Sequence, residues 1–140
     1  MKLRVLIADP NREFQQMMTA LLSQERDMEA ADVSSDGLEA LTKIKTLRPD
    51  VVLLDLVQPR LDGLGVLRRL AAQENAPPVL VLTGFVNSHV IAESSELARH
   101  TSCRSRATPQ SLSNVCGNAR ERKRNLPTGK KRLLGRERNI

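Results

Sequence analysis

Three polar residues that end apolar runs have the types and positions that suit chemistry. Asp55 ends the run Val-Val-Leu-Leu-Asp, Asp9 ends a shorter run that begins at Leu3, and Thr83 ends a run that begins at Val79. In open parallel sheets, ligands bind outside the carboxyl ends of the strands. If the three runs are strands of one parallel sheet, their polar ends lie at one edge and can converge on one pocket.

A carboxylate at such an edge can attack phosphorus and form an acyl phosphate, provided that a cation screens the incoming anion. At contact distance, Asp9 and Asp55 would repel each other by about 4 kcal/mol at an effective dielectric constant of 20, and Mg²⁺ would offset this repulsion. The hydroxyl of Thr83 could hydrogen-bond a phosphoryl oxygen and so respond to phosphorylation. The trio predicts a phosphorylation switch with Asp55 as the phosphoacceptor and Asp9 and Asp55 as Mg²⁺ ligands.

Each of these residues also has a structural interpretation. Asp9 precedes a Pro-Asn pair that suits a turn or a helix cap, and Thr83 precedes a glycine that suits a turn. Asp55 is harder to explain in this way, because the two residues that follow it are apolar. Asp62 with the glycine after it is a turn and helix-start signal, and we interpret it as structural.

Apolar periodicity arranges the first part of the chain as βαβαβαβ. The predicted strands are residues 3–8, 28–33, 51–55 and 79–83. Asn11 is predicted to cap the first helix, and the three helices carry apolar stripes at Phe14, Met17, Met18, Leu21 and Leu22, at Leu38, Leu41, Ile44 and Leu47, and at Leu64, Leu67, Leu70 and Ala71. Such alternation predicts an α/β fold with a doubly wound parallel sheet.

Length and composition exclude several classes of protein. The chain has 140 residues, of which 40% are hydrophobic, and this favours one globular domain. No apolar run approaches the roughly 20 residues that span a bilayer, and the first residues are not a signal peptide, so we expect a cytoplasmic protein with no membrane partner. The two cysteines match neither a disulfide framework nor a zinc site.

The net charge of +6 is concentrated in the second part of the chain. Residues 1–85 hold 10 Lys and Arg against 12 Asp and Glu, whereas residues 86–140 hold 12 against 4. An alternative function is therefore nonspecific nucleic-acid binding through Lys123-Arg124 and Lys130-Lys131-Arg132. The basic segment has no recognition helix and no aromatic residue for stacking, so we expect no specific nucleic-acid partner.

Together these residues resemble the receiver domain of two-component response regulators over residues 1–85. Residues 5–9 resemble its first strand, Asp55 its phosphoacceptor, residues 59–63 its Met-Pro-x-x-Asp-Gly loop, and residues 82–85 its switch strand. Residues 9–14 and 61–64 look closest to the sporulation initiation regulators. The resemblance implies a flavodoxin-like fold, a histidine kinase or phosphotransfer protein as the phosphoryl donor, and the backbone carbonyl of Val57 as a further Mg²⁺ ligand.

An aspartyl-phosphate enzyme of the haloacid dehalogenase type is a further alternative. Such an enzyme needs a second acid two residues after the nucleophile, to act as general acid. Val57 occupies that position here. We therefore expect a phosphoacceptor domain and no enzyme.

Two departures from the receiver pattern predict impaired phosphorylation. The family has two adjacent acids after the first strand, and Pro10 stands in the second position, which weakens Mg²⁺ binding. The family also has a Lys-Pro pair after a fifth strand, whereas residues 104–106 read Arg-Ser-Arg. We expect a receiver domain that is incomplete after its fourth strand, followed by a basic, disordered tail over residues 86–140.

The genetic code offers a cause for the missing lysine. Residues 100–108 can be encoded so that the frame that starts one base earlier reads Ser-Tyr-Phe-Met-Pro-Lys-Pro-Cys-Asp, which matches the missing family segment. Residues 93–97 similarly conceal Glu-Leu-Gly-Ala. The hypothesis is a frameshift just after Phe85 that leaves the tail out of frame.

Overall fold

The computed structural model describes residues 2–82 and the backbone of residues 102–104. Five strands and three helices occupy these residues. In chain order they are β1 (Leu3–Ala8), α1 (Arg12–Ser23), β2 (Met28–Ser34), α2 (Gly37–Leu47), β3 (Val51–Asp55), α3 (Gly63–Ala71), β4 (Val79–Leu82) and β5 (Ser102–Arg104).

The strands form one parallel sheet in the order β2-β1-β3-β4-β5. β1 lies between β2 and β3 and pairs with both, and its ladder with β3 runs from Val5 opposite Val51 to Ala8 opposite Leu54. This is the flavodoxin-like order of a doubly wound sheet, in which the strand order reverses between β1 and β3. The predicted fold class is confirmed.

One face of the sheet packs against α1. Met18 and Leu22 of this helix are buried in a cluster with apolar residues of all four long strands, and Phe14 packs against that cluster. Met17 and Leu21, which the sequence placed on the same stripe, are 51% and 39% exposed. The predicted apolar stripe is therefore wider than the surface of α1 that contacts the sheet.

The other face of the sheet packs against α2 and α3. Ala40 and Ile44 of α2 and the buried residues of α3 join Leu6, Ala8 and alternate residues of β3 and β4 in a second cluster. α3 begins at the predicted signal of Asp62, and α2 begins in the same way at Asp36. The side chain of Asp36 accepts a hydrogen bond from the Glu39 N–H and caps α2, and the side chain of Asp62 accepts one from the Gly65 N–H and caps α3.

The edge of the sheet next to β4 differs from the expectation. The sequence predicted no strand after the fourth, yet residues 102–104 pair in parallel with β4, with Cys103 opposite Val81. Strands pair through backbone N–H and C=O groups, and every residue except proline has both. A strand of three residues can therefore pair without an apolar pattern that the sequence would show. Thr83 and the predicted tail, apart from residues 102–104, lie outside the described residues.

Candidate functional site

Asp55 ends a strand that the core surrounds on both faces. The four residues before it in β3 are fully buried, and Leu56 after it is 7% exposed. Oδ1 of Asp55 accepts a hydrogen bond from the backbone N–H of Val57 at 3.0 Å. Burial raises the pKa of the Asp55 carboxyl, while hydrogen bonds from the backbone N–H groups of Val57 and Leu56 act in the opposite direction. Asp55 is thus a poorly solvated carboxylate that a nearby cation would stabilise.

Asp9 is the second acid at this edge and follows the last residue of β1. It is 8% exposed, and its Oδ1 accepts a hydrogen bond from the backbone N–H of Asn11 at 2.7 Å. Asn11 in turn caps α1 by accepting a hydrogen bond from the Phe14 N–H, as the sequence predicted. Asp9 therefore has the turn role that the sequence suggested, through Oδ1. Its other oxygen, Oδ2, remains for another partner.

The two carboxylates act on each other across the β1–β3 boundary. Burial is the main cause that raises the pKa of Asp9, and the charge of Asp55 raises it further, against the lowering effect of the Asn11 N–H. Because β1 and β3 are adjacent parallel strands, the sheet places both acids at one carboxyl edge. The structure thus brings together two of the three predicted residues, and the third, Thr83, lies outside the described part of the chain.

Gln58 is a site residue whose role the sequence analysis missed. It is 8% exposed although its neighbour Val57 is 69% exposed, so the chain turns its polar residue inward and its apolar residue outward. Its Nε2 donates hydrogen bonds to the backbone carbonyl of Ala8 at 3.2 Å and to that of Asp55 at 2.7 Å. A single glutamine in a loop has no periodicity, so only the contrast with the methionine of the family loop could have drawn attention to it.

The loop from β3 to α3 is fixed close to Asp55. The Gly63 N–H donates to the carbonyl of Leu56 at 2.9 Å, and a Cβ added at Gly63 would lie 2.6 Å from the carbonyl oxygen of Asp55. Only glycine fits this approach of α3 to the end of β3. Arg60, at a φ of 67°, is the centre of a γ-turn in which the Leu61 N–H donates to the Pro59 carbonyl at 2.8 Å.

The same loop is joined to the start of α2. Nη1 of Arg60 lies 3.2 Å from Oδ2 of Asp36, and the Gly37 N–H donates to the Pro59 carbonyl at 3.4 Å. A Cβ at Gly37 would lie 1.9 Å from the carbonyl oxygen of Leu61. The loops after β2 and β3 therefore pack against each other.

The donor atoms at this edge fit a hard divalent cation. Asp9 and Asp55 offer carboxylate oxygens, and the loop after Asp55 offers backbone carbonyls. Mg²⁺ is commonly held by one or two carboxylates together with phosphate oxygens and waters, so a site with two acids suffices. Among residues 2–82, no group of three or more His, Cys, Asp or Glu side chains is placed to hold a metal ion. Within residues 2–82 the candidate cation site therefore offers the carboxylates of Asp9 and Asp55, and the effect of Pro10 on Mg²⁺ binding stays a prediction.

The fold and the paired acids at the carboxyl edge are features of receiver domains, and sequence comparison gives the same result. The family model for the response regulator receiver domain matches residues 5–101, so the chain belongs to this family. The match continues beyond residue 85, where the resemblance based on motifs ended.

A curated relative is protein-glutamate methylesterase/protein-glutamine glutaminase 5 of Myxococcus xanthus. It is 44% identical over 96 residues, which are 69% of this chain and 26% of the relative. A second relative, of the same description, comes from Methanospirillum hungatei and is 40% identical over 85 residues, which are 61% of this chain and 25% of the relative. The chain thus spans about a quarter of the length of the curated relatives it matches.

Solved structures share the fold. The signal receiver domain of the response regulator NarL from Mycobacterium tuberculosis has a TM-score of 0.75 and 24% identity, covering 85% of this chain and 97% of its own. The CheX–CheY–BeF3–Mg²⁺ complex from Borrelia burgdorferi has a TM-score of 0.71 and 21% identity, covering 82% and 87%. At these identities the likeness concerns the fold alone.

Within the part of the chain that the structure describes, no helix has the length and apolar character needed to cross a membrane.

Proposed function

We propose that this chain is a phosphoacceptor module of a two-component or phosphorelay system, phosphorylated on Asp55 with Mg²⁺. The observation that carries the proposal is the pair of poorly solvated carboxylates, Asp9 and Asp55, at the carboxyl edge of adjacent parallel strands. A buried acid next to a second, half-buried acid is costly to the fold, and a site for a cation and a phosphoryl group gives the pair a use.

In this proposal, the ionised carboxylate of Asp55 is the nucleophile. A free carboxylate oxygen attacks the phosphorus of a phosphohistidine, a new O–P bond forms, and the P–N bond breaks as the imidazole leaves with the electron pair and takes up a proton. The Val57 N–H on Oδ1 orients the carboxylate. Mg²⁺, when bound, would screen the charge between the acid and the phosphoryl oxygens.

The remaining site residues have supporting roles in the proposal. Asp9 and the carbonyl of Val57 complete the Mg²⁺ ligands with Asp55, and the hydroxyl of Thr83 contacts the phosphoryl group. Pro10 leaves one acid fewer than the family pattern, and Arg-Ser-Arg replaces the lysine region at residues 104–106. Phosphorylation is therefore expected to be impaired, with a need for high Mg²⁺ concentrations.

The donor and the output are separate proposals. A histidine kinase or a phosphotransfer protein in the cytoplasm is the donor that a receiver domain implies. The motif resemblance favours a sporulation pathway, whereas the curated relatives named above are protein-glutamate methylesterases. We propose only a phosphoacceptor role for this chain, and not the enzyme activity of those relatives.

The frameshift hypothesis stays a proposal that concerns residues 86–140. The family model continues to residue 101, so the proposed change of frame would fall within the domain. Sequencing the DNA across codon 85 tests it. An alternative frame that encodes the lysine segment supports the proposal, and a unique frame without receiver coding contradicts it.

Phosphorylation itself is tested with acetyl phosphate. The full chain is incubated with this small donor and Mg²⁺, and its intact mass is measured. We expect a phosphate adduct that is lost in Asp55→Asn and kept in Asp62→Asn, a matched change at an exposed acid that also accepts a backbone hydrogen bond. No adduct on the wild-type chain, or an adduct that persists in Asp55→Asn, would overturn the proposal.

A further inference from the structure

Gln58 has an amide that the phosphoryl chemistry does not use directly. A buried amide must be hydrogen-bonded, because an unpaired polar group in the interior loses its hydration without compensation. Nε2 of Gln58 meets this need with two backbone carbonyls, those of Ala8 and Asp55. Oε1, in contrast, has no hydrogen-bond partner within the described part of the chain.

The orientation of this amide is set by its surroundings. If oxygen and nitrogen were exchanged, Oε1 would face two carbonyl oxygens, and both contacts would be repulsive. The side chain therefore donates both amide hydrogens, one to a carbonyl of each strand end, while Oε1 has no partner among the described residues. The two donated hydrogen bonds hold the amide between the ends of β1 and β3.

The two carbonyls lie where the sheet ladder stops. Pairing between β1 and β3 ends with Ala8 opposite Leu54, so the next residues on the two strands, Asp9 and Asp55, are beyond the ladder. Beyond the ladder, the Gln58 amide connects the two strand ends, because it donates hydrogen bonds to the carbonyls of Ala8 and Asp55.

We propose that Gln58 is a positioning residue of the phosphoacceptor site, whose side-chain amide sets the separation of the Asp9 and Asp55 carboxylates before a cation binds. The inference rests on the proposed function, since the separation matters for the cation that Asp55 chemistry needs. With Pro10 in place of a second acid after β1, the position of Asp9 relative to Asp55 determines how well the cation is held.

The test compares Gln58→Met with Gln16→Met. Methionine has the length of glutamine and resembles the family residue, but it donates no hydrogen bond, and Gln16 is an exposed glutamine of α1. The probe is acetyl phosphate with increasing Mg²⁺, at a temperature where circular dichroism shows each variant folded. We expect Gln58→Met to raise the Mg²⁺ concentration for half-maximal phosphorylation about tenfold, as loss of supporting groups around metal ligands does. The yield at saturating Mg²⁺ is retained.

A merely structural role would lower the folded fraction and the yield without moving the Mg²⁺ midpoint. An unchanged midpoint in Gln58→Met, or an equal shift in Gln16→Met, would overturn the proposal.

Hydrogen exchange on the metal-free chain gives a readout that needs neither Mg²⁺ nor phosphate. The Asn11 amide, which donates to Asp9, should exchange faster in Gln58→Met than in the wild type and Gln16→Met. Equal exchange in all three would contradict the role of Gln58. If the wild type forms no adduct, the proposed function fails, and this exchange measurement still decides whether Gln58 holds Asp9 in place.

Discussion

Replacing Asp9 by asparagine should stabilise the metal-free protein and remove its response to Mg²⁺. Asparagine keeps the shape of the side chain and an oxygen that can accept the Asn11 N–H, but it carries no charge. The substitution therefore removes the burial cost of the anion and its repulsion with Asp55, the two causes that raise the pKa of Asp9.

The size of the effect follows from the geometry. Adjacent strands are about 4.8 Å apart, and two carboxylates about 6 Å from each other would repel by at most about 3 kcal/mol at an effective dielectric constant of 20. The charge of Asp55 raises the pKa of Asp9 less than burial does, so the repulsion lies below this limit. Exchanging a charge-assisted hydrogen bond for a neutral one costs about 1 kcal/mol. The variant should be more stable by about 1–2 kcal/mol, which is a rise in melting temperature of several degrees for a domain of this size.

The pH dependence of this difference has a definite sign. A carboxyl whose pKa is raised in the folded state binds its proton more tightly there, so stability falls as pH rises from the ordinary value of 3.8 through the raised folded value. In Asp9→Asn, no carboxyl at position 9 ionises, so this fall in stability with rising pH does not occur. The advantage of the variant should therefore be present at neutral pH and vanish below the ordinary carboxyl value.

The assay is thermal unfolding with and without Mg²⁺, and the matched control is Asp62→Asn. Asp62 is exposed and accepts the Gly65 N–H at 2.7 Å, and asparagine caps helices about as well as aspartate, so the control should change stability by less than about 0.5 kcal/mol. Mg²⁺ at 100 times its dissociation constant should stabilise the wild type by about 2.7 kcal/mol and Asp9→Asn by far less. A destabilised Asp9→Asn, or one that Mg²⁺ stabilises as much as the wild type, would refute the reasoning.

Three further outcomes are expected. Gly63→Ala should destabilise the fold by about 1–3 kcal/mol in urea unfolding and lower phosphorylation, since its Cβ would meet the Asp55 carbonyl at 2.6 Å. Gly65→Ala would meet only the side chains of Leu61 and Asp62, which can move, and should cost less. Leu54→Ala should cost about 2–5 kcal/mol in the same assay, because Leu54 is fully buried, and a cost below about 1 kcal/mol would show that β3 is not a core strand. Phosphorylation by acetyl phosphate should decline on acidification while the pH is still above 3.8, because the pKa of the Asp55 carboxyl is raised and only the ionised form attacks phosphorus. A decline centred at 3.8 would show that burial does not raise the pKa of Asp55.

Strong local signals explain why most of the fold could be predicted from the sequence. β1 and β3 have the predicted bounds, since both are apolar runs that end at an acid, and proline follows the acid after β1. The helix starts at Asn11 and Asp62 follow from side chains that cap backbone N–H groups in the next turn, an interaction within three residues. The order of the strands follows from right-handed crossovers in a parallel sheet.

The parts of the site that escaped prediction depend on contacts between residues far apart in the chain. Gln58 reaches Ala8 across 50 positions, and no local pattern records such a bond. The contact between Gly37 and Leu61 likewise arises only when the loops after β2 and β3 meet. β5 escaped because three residues that pair through the backbone have no periodicity.

Asp55 is proposed to carry the phosphoryl group, and reductive mapping of the modified chain identifies the residue that carries it. Borohydride reduces an aspartyl phosphate to homoserine, so the chain is treated with acetyl phosphate and Mg²⁺, reduced, digested and sequenced by mass spectrometry. The account predicts homoserine at position 55, at a yield that depends on Mg²⁺ and falls in Asp9→Asn. Homoserine at another aspartate, or none at any Mg²⁺ concentration, would contradict it.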